Sequence, residues 1–310
     1  MYKLAAIVGP TAVGKSGAAI ELAKRIDGEI ISCDSMQVYR GLDIGTAKAT
    51  IEERQTVPHH LIDVADIEED YNAARYQKEA RQAIEAITER GKLPILVGGT
   101  GLYYQALVDE YYFLPMHFKQ EVRDKWNNEI NKRGLDDVYS YLRSIDPQYA
   151  QKIAPNDQKR IIRAIEVYEL TGIPFSRQQK RNSNAYDLAV VGLNMERSEL
   201  YKRIDCRVDI MLENGWIEEV RSLLNMGCST KANALQALGY QQIIWYLQGL
   251  LSQKEMVREI KKETRNYAKR QLTWFRRDRR IFWINIETRD KTEIIVEKIF
   301  DYLEGQFPGA

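Results

Sequence analysis

The octet Gly9-Pro10-Thr11-Ala12-Val13-Gly14-Lys15-Ser16 lies between the apolar run Leu4-Ala5-Ala6-Ile7-Val8 and the amphipathic stretch Ala18-Ala19-Ile20-Glu21-Leu22-Ala23-Lys24-Arg25. A buried strand, a glycine-bearing loop and a helix N-terminus in that order are the context a P-loop needs. The glycines let consecutive N–H groups turn inward and the helix dipole adds partial positive charge. Lys15 supplies a full charge, and Ser16 can ligate Mg²⁺. Such a pocket holds a diphosphate or a longer phosphate chain; a chance match in a Gly-containing loop is the bland alternative. The motif says which group is held, not what is done with it.

Outward from the octet, strand and helix alternate. Strands are expected over 4–8, 29–33 and 94–97 and helices over 15–26 and 72–90, with an irregular stretch from 34 to about 60. Ala73, Tyr76, Ala80, Ala83, Ile84 and Ile87 carry the helical period of the second helix. This alternation argues for a parallel sheet covered on both faces. From 113 to 186 the character changes to charged, Tyr-rich helical pieces over 118–133, 136–145 and 156–171. An apolar strand follows over 187–194, so the simplest organisation is an α/β core, residues 1–112 and 187–310, carrying a helical insertion, 113–186. Later helices are expected over 197–226, 234–248, 253–276 and 291–304, with a strand at 281–284.

Composition sets the outer bounds. With 310 residues, 44% hydrophobic and 29% charged, the chain can bury a large core. No apolar run approaches the roughly 20 residues of a membrane span, and the first strand starts too early for a secretory leader. A cytoplasmic protein without a membrane partner is expected. Cys33, Cys206 and Cys228 show no paired spacing and His59, His60 and His117 no cluster, which disfavours structural zinc and a disulfide framework. Net charge is only +1, but its distribution is uneven. Residues 1–110 hold 12 Lys/Arg and 17 Asp/Glu, whereas residues 258–280 hold 10 and 3. One end is suited to a polyanion.

Four stretches carry candidate chemistry. The strand over 29–33 delivers Asp34, followed by Ser35, Met36 and Gln37, to the carboxyl edge where parallel sheets bind ligands. Asp34 is a general base or metal-linked carboxylate there, or an ordinary turn Asp. The strand over 94–97 ends in Gly98-Gly99-Thr100-Gly101 instead of the acid expected in a nucleotide hydrolase. That turn either brings backbone and Thr100 to a ligand or is merely tight. Arg203 and Arg207 share a helical face and either clamp a diphosphate or pair with Asp205, Asp209 or Glu199. The last basic helix interleaves Lys269, Arg270 and Arg276 with Tyr267, Trp274 and Phe275, as a nucleic-acid surface or as a solvated face with its aromatics in the core. The insertion adds Lys159, Arg160 and Arg163 on a second helical surface.

These residues together resemble the bacterial tRNA dimethylallyltransferases, also called tRNA isopentenyltransferases, over nearly the whole chain. The likeness rests on Gly9 to Ser16, on the long block Ser32-Cys33-Asp34-Ser35-Met36-Gln37-Val38-Tyr39-Arg40-Gly41-Leu42-Asp43-Ile44-Gly45-Thr46-Ala47-Lys48, and on Pro58-His59-His60-Leu61. Val97-Gly98-Gly99-Thr100-Gly101-Leu102-Tyr103, Ala237-Leu238-Gly239-Tyr240-Gln241 and Lys269-Arg270-Gln271-Leu272-Thr273-Trp274-Phe275-Arg276 extend it.

The resemblance implies a P-loop NTPase-like fold and transfer of a dimethylallyl group from its diphosphate to the N6 amine of the adenosine 3′ of the anticodon. It implies Mg²⁺ as cofactor, the tRNA anticodon stem-loop as partner, and a monomer. By position it makes Asp34 the base, with Lys15, Thr11 and Arg207 also catalytic. It puts Gly9, Pro10, Thr11, Ala12, Val13, Gly14, Lys15, Ser16, Arg203 and Arg207 around the donor, with Mg²⁺ at Ser16. It sets Asp34, Ser35, Met36, Gln37 and Thr100 at the flipped adenine. It assigns Arg123, Gln158, Lys159, Arg160, Ile161, Ile162, Gly239, Tyr240, Lys269, Arg270, Gln271, Trp274 and Arg276 to tRNA. Ala237-Leu238 differs from some relatives. Rival functions are a small-molecule P-loop kinase, an isopentenyltransferase of free adenine nucleotides, and a nucleotide-gated RNA-binding protein without chemistry.

Overall fold

A computed structural model describes residues 1–113, 120–178 and 181–308. His117 and the first two residues of the helix expected over 118–133 lie outside the described residues. The chain divides into two compact units, Met1–Val108 with Ser183–Ala310, and Asp109–Asn182. The boundaries fall at 109 and 182, before the expected 113 and 186. One helix continues to Val108, and the Asn182 N–H donates to the Asp109 carbonyl at 2.8 Å, closing the neck of the second unit.

The first unit opens with β1 (Tyr2–Val8), α1 (Lys15–Arg25), β2 (Glu29–Cys33), α2 (Ile51–Thr56), β3 (His59–His60), α3 (Ala73–Glu89), β4 (Pro94–Gly98) and α4 (Gly101–Val108). The second contains α5 (Gln120–Arg133), α6 (Leu135–Ile145), α7 (Pro147–Ala150), α8 (Gln158–Thr171) and α9 (Phe175–Gln178). The first then resumes with β5 (Tyr186–Met195), α10 (Arg197–Glu213), α11 (Trp216–Asn225), α12 (Tyr240–Leu247), α13 (Gln253–Phe275), β6 (Ile281–Ile286) and α14 (Thr292–Gln306).

Among the described residues all six strands are parallel, in the order β3-β2-β4-β1-β5-β6. The central strands read as unbroken apolar runs because both faces are covered: residues 4–8 of β1 and all of β2 and β4 are buried. α1 turns Ala18, Ala19, Ile20, Leu22 and Ala23 into one core. α3 starts where Asn72 Oδ1 accepts the N–H groups of Ala74 and Arg75 at 3.0 and 3.1 Å, and it buries Tyr76, Ala80, Ile84 and Ile87. The helical unit has its own core around Trp126, Val138, Leu142, Ile161 and Ile165. Among the described residues no helix is long and apolar enough to cross a membrane.

Three expectations need correction. The helix expected over 197–226 is two, because Gly215 takes φ +94°, a left-handed backbone that ends α10 and turns the chain into α11. Apolar periodicity continues on both sides of that break, which is why it reads as one helix. The helix expected over 234–248 is a 3₁₀ turn, Ala234–Gln236, followed by α12, with Gly239 at φ +89° between them. α4 follows the Gly98-Gly99-Thr100-Gly101 turn with no sequence signal of its own; its first residue lies so close to the Trp274 indole that a Cβ on Gly101 would sit 2.3 Å from the ring.

Candidate active site

The octet forms the turn between β1 and α1. Gly9 has φ +142°, and a Cβ there would lie 2.5 Å from the Leu193 carbonyl oxygen, so the loop hugs the neighbouring strand as only glycine permits. Gly14, at φ +103° in the left-handed region, caps the N-terminus of α1. The Lys15 ammonium folds over this loop and donates to the Pro10 carbonyl at 2.7 Å.

A cavity of about 260 Å³ lies above the loop, lined by Thr11, Lys15, Ser16, Asp34, Gln37 and Arg207 among others. A second, of about 250 Å³, shares Thr11, Ala12, Asp34, Thr46, Arg207 and Tyr267 with it. The second is more apolar, walled by Ile204, Val208 and Met211 of α10 and by Trp216 and Leu238. Asp34 therefore stands where the cavity above the octet meets the more apolar one.

Asp34 also makes its turn: Oδ1 accepts the N–H groups of Met36 and Gln37 at 2.9 and 3.4 Å. One side chain thus both makes the turn and lines the two cavities. Ser35 N–H donates to Thr100 Oγ1 at 3.0 Å, which brings the β4 turn against the Asp34 loop. Gln37 Oε1 accepts from Ser32 Oγ at 3.0 Å, and its amide donates to the Thr46 carbonyl at 3.2 Å.

The fate of the α10 arginines is decided by α13. Arg265 takes Asp205 at 2.6 Å, Lys261 takes Asp209 at 2.7 Å and Lys202 takes Glu199 at 2.7 Å. The acids that could have neutralised Arg207 are thereby engaged, and Arg207 lines both cavities. Arg203, one turn away, lines neither. Burial pushes the Arg207 guanidinium below its usual range, with the Asp34 charge opposing.

Burial also lowers Lys15, to about 7; Arg207 adds to the fall, and Asp34 and Cys33 work against it. A diphosphate beside the ammonium favours the charged form, so its binding draws a proton onto Lys15 above pH 7. Inorganic pyrophosphate affinity should be greatest below about pH 7 and fall above it, by up to about tenfold per pH unit, until the bound-state value is reached. Titrations from pH 6 to 9 of the protein and of its Lys15→Met variant check this, since the component due to Lys15 must vanish in the variant.

Gln271 lines the first cavity and Tyr240 the second, and both also make structural contacts. Gln271 staples the site: Thr11 N–H donates to its Oε1 at 2.8 Å and its Nε2 donates to the Gly99 carbonyl at 3.0 Å. Trp274 packs on Gly101, and Tyr240 is fully buried with its hydroxyl on Glu219 at 2.6 Å. Lys269, Arg270 and Arg276 are exposed, and Arg270 also lines the second cavity. In the helical unit Gln158, Lys159 and Arg160 are exposed, Arg123 meets the buried Glu166 at 3.2 Å, and Ile161 and Ile162 belong to that unit's core. Those two isoleucines therefore cannot offer side chains to a ligand, as the apolar period of α8 already implies.

Thr46 and Tyr267, which line both cavities, are among the site residues that sequence reasoning missed. Tyr267 lies where burial and the Asp34 charge raise its hydroxyl well above the usual range. Its place among basic residues suggested only an RNA-facing aromatic. Glu219 carried no local signal at all.

A family model described as IPP transferase matches residues 37–278. The chain belongs to the IPP transferase family. The tRNA dimethylallyltransferase of Syntrophomonas wolfei is 57% identical over 307 residues, 99% of each chain. That of Carboxydothermus hydrogenoformans is 51% identical over 300 residues, 96% of each. Among solved structures, the tRNA isopentenylpyrophosphate transferase of Bacillus halodurans superposes with a TM-score of 0.72 at 42% identity, covering 99% of this chain and 98% of that one. A eukaryotic dimethylallyltransferase acting on tRNA gives 0.81 at 29% identity, covering 98% of this chain and 80% of that one. The family's fold is thus the P-loop NTPase-like sheet described above.

Proposed function

We propose that this protein transfers a dimethylallyl group from dimethylallyl diphosphate to the exocyclic N6 of the adenosine 3′-adjacent to the anticodon of tRNA, releasing diphosphate. The observation that carries this is the junction at Asp34: a phosphate cradle and an apolar chamber meet at one carboxylate. The diphosphate sits against the octet amides, Lys15 and Arg207, which stabilise the charge that grows as the allylic C1–O bond breaks. The amine attacks C1 from the chamber side. Asp34 accepts the proton that N6 loses, so that a poor nucleophile reacts without forming a persistent cation. Because N6 is out of reach in a stacked loop, the adenine is extruded into the chamber, beside Ser35, Met36, Gln37 and Thr100.

Mg²⁺ fits this arrangement. Ser16 lies in the first turn of α1 and lines the cavity above the octet. Mg²⁺ commonly rests on substrate phosphates with one or two protein ligands, and when bound it would neutralise charge on the departing diphosphate.

Arg123, Gln158, Lys159 and Arg160 of the helical unit, and Lys269, Arg270 and Arg276 of the other, are assigned to the RNA backbone. Replacing Lys269 and Arg270 by Gln should weaken tRNA binding and lower the slope of log affinity against log salt by roughly 1 to 2. Filter binding from 50 to 300 mM salt tests this, and an unchanged slope would make the pair ordinary surface charges.

Incubation with labelled dimethylallyl diphosphate, Mg²⁺ and unmodified tRNA is expected to give a prenylated adenosine, with AMP a poor acceptor. Equal activity on AMP would overturn the tRNA assignment. ATP consumption that depends on a small acceptor would establish a kinase instead.

A further inference from the structure

We infer that Glu219, on the first turn of α11, is the positioning residue that holds the acceptor loop in its working shape; the role rests on the function proposed above. Its carboxylate receives four donors. Oε2 accepts the N–H groups of Asp43 and Ile44 at 3.0 and 2.7 Å, and Oε1 accepts Gly45 N–H at 3.4 Å and the Tyr240 hydroxyl at 2.6 Å. Three consecutive amides converging on one carboxylate hold a loop far more strictly than a single hydrogen bond, because each must keep its direction.

The held segment lies next to the chemistry. Gly45 and Thr46 line the apolar chamber, Thr46 lines the phosphate cavity as well, and the Thr46 carbonyl receives the Gln37 amide. Glu219 thus acts through residues 43–46 on Gln37 and on the chamber wall, without touching a reacting atom.

Shape adds to charge. Trp216, one turn before Glu219 on the same helical face, is fully buried, and a Cβ on Gly45 would stand 2.1 Å from its Nε1. A Cβ on Gly239 would stand 2.0 Å from the far edge of the same indole. The loop is therefore seated on α11 from one side and drawn to it by the carboxylate. At the opposite end, buried Lys48 donates to the Tyr39 carbonyl and to Asp63 at 2.8 and 2.6 Å, so residues 39–48 are held at both ends.

The test uses the full chain, with Glu219→Gln and Glu219→Asp. Glu219→Gln replaces one acceptor oxygen by a donor facing amide N–H groups. It is expected to lower kcat/KM for tRNA at least tenfold while pyrophosphate affinity stays within twofold. Hydrogen exchange of residues 43–46 should speed up at least tenfold, with β1 and β4 unchanged. Glu219→Asp, which keeps the carboxylate, should recover part of the loss. Unchanged acceptor kinetics or unchanged exchange in Glu219→Gln would overturn the role. So would a parallel fall in pyrophosphate affinity, which would mark a general loss of fold. A native protein that fails to prenylate tRNA would overturn the functional assignment instead.

Discussion

Asp34→Asn is expected to reduce turnover by about 10² to 10⁴, the usual worth of a positioned general base, while tRNA affinity changes by less than about threefold. The asparagine keeps the shape and can still accept the Met36 and Gln37 amides through its side-chain oxygen, so the turn survives. What it loses is the capacity to take the N6 proton. Single-turnover prenylation with labelled donor measures the first quantity and filter binding the second. Turnover within threefold of native would remove Asp34 from the proton transfer. A parallel collapse of RNA binding would make it a loop residue and nothing more.

Lys15→Met should cost about 10² to 10³ in kcat, comparable to the loss of one well-placed charge-stabilising donor, together with weaker pyrophosphate binding. The substitution preserves length and apolar stem, and the octet keeps its backbone amides. Asp34 and Arg207 remain on the cavity wall, so tRNA affinity should be unaffected. Kinetics at saturating tRNA, paired with pyrophosphate titration, separates this variant from Asp34→Asn: one weakens the donor side, the other only the chemical step. Intact turnover in Lys15→Met would assign the developing charge to the amides and Arg207 alone.

Both effects concern residues whose positions are set locally. The octet works because strand, loop and helix are consecutive, and the φ values of Gly9 and Gly14 need nothing beyond a residue without Cβ. Asp34 ends a buried strand that the apolar pattern marks clearly. The alternation of β1, α1, β2, α3 and β4 in turn requires a parallel sheet, whose carboxyl edge collects the loops.

Where the sequence left alternatives open, contacts between distant residues closed them. Asp205 and Asp209 could serve Arg207 or another cation; α13 supplies that other cation through Arg265 and Lys261, and Arg207 is left to the cavity. Trp274 could stack on a base or pack inside, and the absent Cβ of Gly101 makes room for its indole. Glu219 meets the amides of residues 43–45 from 174 to 176 positions away, and Gln271 meets Thr11 across 260. Helical periodicity records which face of a helix is apolar, but it does not record which acid a given cation reaches.

The sequence by itself determined the glycine-bearing turn of the octet, the parallel sheet and the carboxylate that follows β2, because each depends on residues within a turn or two of one another. Only the tertiary structure decided which arginine enters the cavity, which aromatics build its walls and which carboxylate holds the acceptor loop. Those outcomes are competitions among charges and surfaces brought together by folding, and their winners depend on distances that no local pattern encodes.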